Sequence, residues 1–207
     1  MKRIIASAFV LCGLYVAAAA QGTSALEQLC AKMADCSAVL NYSYTLTMAG
    51  VKTVGDGVLT VQDKSYLMNG NGVRIYCNGS VMWVVDEAGK EIMIDSVSQG
   101  ADAYLSNPVL LFTNLEEIFN VGVPVANGAS RTYKLTPKVS CGIASGEVTL
   151  NTSGVSPMFS SGTFDMSDGG KLDVKIKSMT FSAKKPLTFY TLDLSTFDSS
   201  WMITDLR

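Results

Sequence analysis

The chain has 207 residues, of which 48% are hydrophobic and 16% charged, with a formal net charge of −2. That balance excludes a disordered chain and leaves no basic stripe for nucleic acid. Histidine is absent, which excludes a histidine base behind a serine or cysteine nucleophile and any histidine–zinc site.

The first twenty residues read as a secretory signal peptide. Met1-Lys2-Arg3 is a short basic start, Ile4 to Val16 is an apolar run, and Ala18-Ala19-Ala20 is an A-x-A cleavage site. Residues 21–207 then form a single domain. Cys12 falls within the leader and is discarded with it. Cys30, Cys36, Cys77 and Cys141 remain, an even number for an oxidising compartment, so disulfides are allowed and three connectivities stay open. No C-x-x-C pair points to zinc or to a thioredoxin-type site.

A helix opens the domain. Ser24 and Glu27 have capping-box spacing, and Leu26, Leu29, Cys30 and Met33 fall on one helical face. The helix is expected to end between Ala34 and Cys36. Period two follows. Tyr42, Tyr44, Leu46 and Met48 alternate with Ser43, Thr45 and Thr47, the pattern of a strand with one buried face. A second strand begins at Val58. Asn69-Gly70-Asn71-Gly72 predicts a hairpin between Tyr66–Met68 and Val73–Cys77. Turns at Asn78-Gly79 and at Asp86 to Gly89 carry the meander through Val81, Trp83 and Val85 to Glu91–Ile94.

Residues 100–120 break the alternation. Pro108 to Phe112 is an apolar run, and Asn114 with Glu117 repeats the capping spacing before Ile118 and Phe119. One or two short helices are expected. They read either as an ordinary connection packed on the sheet or as an apolar lid. Strands resume at Arg131–Leu135, Glu147–Leu150, Pro157–Phe164 and Leu172–Phe181. In the last of these, Leu172, Val174 and Ile176 give way to Met179 and Phe181, which predicts a bulge near Ser178. Phe189 to Arg207 combines an aromatic strand with a tail.

The fold class is therefore α+β, mostly β. About ten strands with two or three short helices to cover them point to a partly open barrel. So large an apolar sheet needs a second layer or a ligand on its inner face. Isolated matches to catalytic and calcium motifs do not hold together. Ser182 to Lys185 spells S-x-x-K without its companion elements, and Asp165 to Gly169 lacks a closing acidic residue. No catalytic residue, metal site or cofactor is expected.

Several segments in this order resemble the periplasmic outer-membrane lipoprotein carrier family (LolA-like). Gly57-Val58-Leu59-Thr60-Val61 resembles its second-strand motif. Cys77 to Trp83 is similar to its "S-D-G-k-x-x-W" hairpin, and Asn107 to Leu111 resembles its lid helix. Tyr133 to Lys138 is similar to a strand ending in "L-T-P-K", and Asp205-Leu206-Arg207 resembles the family's end. The family's basic residue and proline after the second strand are replaced here by Gln62-Asp63-Lys64-Ser65, with Lys64 in the arginine's place. The resemblance implies an incomplete antiparallel β-barrel of about ten strands closed by short helices, and a monomeric periplasmic carrier that is not an enzyme. Such a carrier holds lipoprotein acyl chains in an apolar cavity, taking them from an inner-membrane donor toward an outer-membrane acceptor. It places Tyr44, Leu46, Trp83, Val174 and Ile176 on the cavity wall, and Leu110, Leu111, Phe112, Leu115 and Phe119 in the lid. The alternative is a divergent member of the same fold that acts as an envelope protein-contact, sensor or other lipid-binding module.

Overall fold

The structure, a computed structural model, describes residues 24–97 and 115–207, without the side chains of residues 116 and 117. The signal peptide expected over residues 1–20 lies outside the described residues, as do Leu110, Leu111 and Phe112.

Helix α1 spans Ala25–Asp35. Its first turn is closed reciprocally: the Glu27 amide donates to Ser24 Oγ at 3.1 Å, and the Ser24 amide donates to Glu27 Oε2 at 2.7 Å. Leu26, Leu29 and Met33 are buried on one face. That face is the helical stripe legible in the sequence.

Thirteen strands form one sheet among the described residues. In chain order they are β1 (Ser37–Met48), β2 (Val51–Gln62), β3 (Ser65–Gly70), β4 (Val73–Cys77), β5 (Val81–Asp86) and β6 (Glu91–Ser96). A short helix α2 (Leu115–Ile118) leads into β7 (Phe119–Val121) and β8 (Val125–Asn127). Then come β9 (Ser130–Pro137), β10 (Ile143–Asn151), β11 (Met158–Met166), β12 (Lys171–Ser182) and β13 (Met202–Asp205). Across the sheet the order is β13-β6-β5-β4-β3-β2-β1-β12-β11-β10-β9-β7, with β8 also on β9. The sheet is curled and open rather than closed into a barrel.

Turn chemistry sets the meander. Asn71 and Gly72 both have positive φ, 55° and 79°, as a two-residue hairpin turn requires. Asn78 Oδ1 accepts from the amides of Ser80 and Val81, and Asp86 Oδ1 from those of Ala88 and Gly89. The expected bulge is present. Asn41 pairs with Ser178 and Tyr42 with Ile176, so Lys177 is the extra residue.

The structure differs from expectation in β7, β8 and β13. The first two are three-residue strands, too short for a periodic signal. β13 runs parallel to β6, at the end of a C-terminal strap formed by residues 183–205. Lys184 Nζ contacts the Asp63 carboxylate at 3.0 Å, Gln62 makes two hydrogen bonds to the Lys185 backbone, and the Ser37 and Tyr190 hydroxyls share a bond of 3.1 Å. Tyr190 is fully buried. These tethers anchor the start of the strap at β1 and the end of β2, and its later residues pack on the outer face of β4, β5 and β6.

Two apolar clusters result. The larger lies on the inner face, where α1 packs against strands from both halves of the sheet. The smaller lies on the outer face, where Val85, Ile92 and Ile94 pack beneath Leu192 of the strap. Cys30, Cys36, Cys77 and Cys141 are all free thiols.

Candidate ligand cavity

Alternation along a strand decides which side chains meet on the inner face. On β1 these are Leu40, Tyr42 and Tyr44; on β12 they are Leu172, Val174 and Ile176, paired as Tyr42–Ile176 and Tyr44–Val174. Helix α1 covers one end of this face. The other end is left as an apolar cavity of about 380 Å³. Leu59 of β2, Met68 of β3, Val73 and Ile75 of β4 and Phe164 of β11 complete its walls. Its size is that of a small-ligand site.

Glycine makes room for the rings. Gly57 faces Tyr42 across the ladder and Gly55 faces Tyr44. A Cβ on Gly57 would stand 2.9 Å from the Tyr42 hydroxyl, and one on Gly55 would stand 2.6 Å from the Tyr44 ring. The rings therefore lie close over the β2 backbone. Phe164 is seated in the same way, its ring 2.8 Å from where a Gly146 Cβ would be. The two tyrosine rings are 6.3 Å apart at a tilt of 32°.

One rim of the cavity is polar. Asn71 Nδ2 donates to the Tyr44 hydroxyl at 2.7 Å, which joins the β3–β4 turn to β1 over the intervening β2. Burial, then the neighbouring Tyr44 and Asp56, push the Tyr42 hydroxyl above its ordinary range, so it stays neutral and keeps its O–H as a hydrogen-bond donor. Apolar walls with a hydrogen-bonding rim suit an amphiphile.

Tyr44, Val174 and Ile176 stand on the cavity wall. Leu46 shares their strand face but lies one step beyond Tyr44, paired with Leu172, and is not part of the wall. Trp83 is on the other side of the sheet. It pairs with Tyr76, the neighbour of cavity-lining Ile75, so alternation points it outward into the cluster beneath the strap. Leu115 and Phe119 are each 1% exposed within the main core, and Phe119 is locked into β7 against Pro137 of β9. Neither lines the cavity. Lys64 sits in the β2–β3 turn beside Gly79, away from the cavity wall. Tyr42 and Leu172 were legible as wall residues, because they share the alternation of Tyr44 and Val174. Phe164, Met68 and Ile75 carried no comparable signal, since only the register across several strands brings them together.

No protein-family model matches the sequence, and no curated protein is similar to it in sequence. Solved structures do resemble it. An uncharacterised conserved protein from Thermus thermophilus superimposes with a TM-score of 0.54 at 10% identity, over 87% of this chain and 96% of that one. That likeness shows a shared fold. Other structural neighbours include a LolA superfamily protein from Nitrosomonas europaea (TM-score 0.46, 12% identity, 81% and 96% covered). A putative outer membrane lipoprotein-sorting protein domain from Vibrio parahaemolyticus is another (TM-score 0.43, 11% identity, 80% and 94% covered).

Proposed function

We propose that this protein is an exported, non-enzymatic carrier that shelters the acyl chains of a lipoprotein, or of another acylated ligand, in the inner-face cavity. The single observation behind the reading is that cavity: an apolar space of about 380 Å³ with aromatic and aliphatic walls and a polar rim. An acyl chain in water gains about 0.8 kcal/mol for each CH₂ it buries. The order of segments that resembles the lipoprotein carriers supports the same reading, and so does the leader-like start of the sequence. Tyr44, Val174 and Ile176 are the wall residues that would touch the chain, together with Tyr42 and Leu172. Transfer from an inner-membrane donor to an outer-membrane acceptor, by a periplasmic monomer, completes the proposal. No bond is made or broken in such a cycle.

The test is native mass spectrometry of the protein purified from its compartment without detergent, followed by organic extraction. Co-purified lipid or acylated peptide is expected, and Val174→Asp should lose it. Val58→Asp, on the outer face of β2, should keep it. A protein that carries no lipid and takes up no added lipopeptide would overturn the reading.

A further inference from the structure

The tip of the β1–β2 hairpin departs from its own turn chemistry. Ala49 and Gly50 have φ of 49° and 81°, the two positive values of a tight hairpin turn. Such a turn favours Asn or Asp at its first position, as Asn71-Gly72 shows at the same end of the sheet. Among the described residues, the other non-glycine residues with positive φ are Asp63, Asn71 and Lys90, all polar. Ala49 is the apolar exception. Its neighbours are apolar as well, and they face solvent. Met48 and Val51, the last pair of the ladder, are 47% and 68% exposed, and Val54 is 71% exposed.

Part of this hairpin has little support. β2 pairs with β3 only from Gly57 onward, so Val51 to Asp56 have β1 as their one ladder neighbour. Alternation puts Met48 and Val51 on the inner face and Val54 on the outer. A protein partner seated on the hairpin would cover one face. Exposed apolar side chains on both faces suit a fluid apolar medium that closes around the tip. Lys52 and Lys171 flank Thr47 in the next row of the sheet. Lysines one step behind an apolar tip reach lipid phosphates with their stems in the headgroup layer. Asp168, in the β11–β12 turn, accepts from the Gly170 amide and adds an anion nearby, so insertion rather than net charge drives the contact.

The tip is also continuous with the cavity. Leu172 lines the cavity wall and pairs with Leu46, and Met48 is the next residue on that face of β1. Met48 and Met166 close over Gly170, each with Cγ 3.4 Å from where a glycine Cβ would be. An apolar strip thus leads from Leu172 through Leu46 and Met48 to Val51.

We propose that the β1–β2 hairpin tip docks the protein on a lipid bilayer, with Met48, Ala49 and Val51 inserted among the headgroups. The acyl chain then passes between bilayer and cavity along the Leu46–Met48 strip, sheltered from water. The route rests on the carrier reading above; the docking itself is tested without a ligand.

The full-length protein is floated with vesicles of phosphatidylethanolamine and phosphatidylglycerol, and separately titrated with dodecanol in their absence. Val51→Asp should weaken vesicle binding about tenfold and change dodecanol binding by less than about twofold. Ala49→Asn supplies the residue the turn prefers. It should melt no lower than the wild type and still bind vesicles more weakly, an outcome that a purely structural role for Ala49 does not give. If Val51→Asp fails to fold, its melt shows it and Ala49→Asn decides. Wild-type protein that binds dodecanol but does not float, or variants that float equally well, would overturn the docking and leave the cavity standing. Dimers broken by Val51→Asp, without vesicle binding, would assign the tip to a second copy and overturn it too. Protein that floats but binds no dodecanol would keep the docking and overturn the carrier reading.

Discussion

Gly57 and Gly55 control the cavity at the smallest scale. Their missing side chains let the Tyr42 and Tyr44 rings lie over β2 instead of standing up into the space. Neither glycine has a positive φ, so the requirement is steric rather than conformational. A Cβ on Gly57 would also come within 2.7 Å of the Asn69 carbonyl oxygen, a backbone atom that cannot swing aside. Gly57→Val should therefore cost about 1–3 kcal/mol in urea denaturation, as overpacking does. It should also weaken acyl binding by pushing Tyr42 inward. Unchanged stability and unchanged binding together would show that the ring has other room.

At the scale of elements, the strap is the part most exposed to acid. Its turns are closed by Asp193 on Ser195, Asp198 on Ser200 and Asp205 on Arg207. These hydrogen bonds lower all three carboxyl pKa values, that of Asp205 to about 2 through its bonds to Arg207. A carboxylate with a lowered native pKa stabilises the folded state above its ordinary value, and that contribution is lost as pH falls through the native one. The strap should accordingly loosen as pH drops from 3.8 to about 2. Trp83 and Trp201 both belong to the cluster beneath it, so tryptophan emission should shift to the red in that window. Emission that stays constant there would show that the apolar contacts alone hold the strap. The two faces of the sheet differ in how they are covered. The outer face of β4, β5 and β6 depends on the strap, whereas the inner face has α1.

The whole molecule is organised about β1. It pairs along nearly its full length with both β2 and β12, and no other strand among the described residues has two ladders of that extent. The edges are weak by comparison: β7 and β8 have three residues each, and the four residues of β13 are all exposed. Opening energies follow such differences. Hydrogen exchange should be slowest in β1 between Ala38 and Leu46, and fastest in β8 and β13. Rapid exchange across β1 would mean that the curled sheet does not open from its edges. An open sheet with its weakest ladders at the margins leaves the cavity on its most stable part, next to the central strand. That placement lets walls hold their shape while the periphery moves.

Much of this was legible in the sequence because the signals are local. The Ser24–Glu27 box and the Leu26, Leu29, Met33 stripe fixed α1. Asn71-Gly72 fixed the hairpin, and the phase change after Ile176 marked the bulge now seen at Lys177. The alternation of Tyr44 with Val174 and Ile176 already put the right side chains on one face. Alternation has a period but no sign: it showed that Val81, Trp83 and Val85 face one way together, and could not say which way. Only tertiary structure decided that, through contacts such as Ser37–Tyr190, made between residues 153 positions apart. The same holds for Leu115 and Phe119, whose helical pattern suits a lid or a core equally, until pairing of β7 with β9 buries them. It holds for the parting of β11 from β12, too. Ser160 and Lys177 are ordinary residues in sequence, and only the register with β10 and β1 shows each to be the extra residue of a bulge.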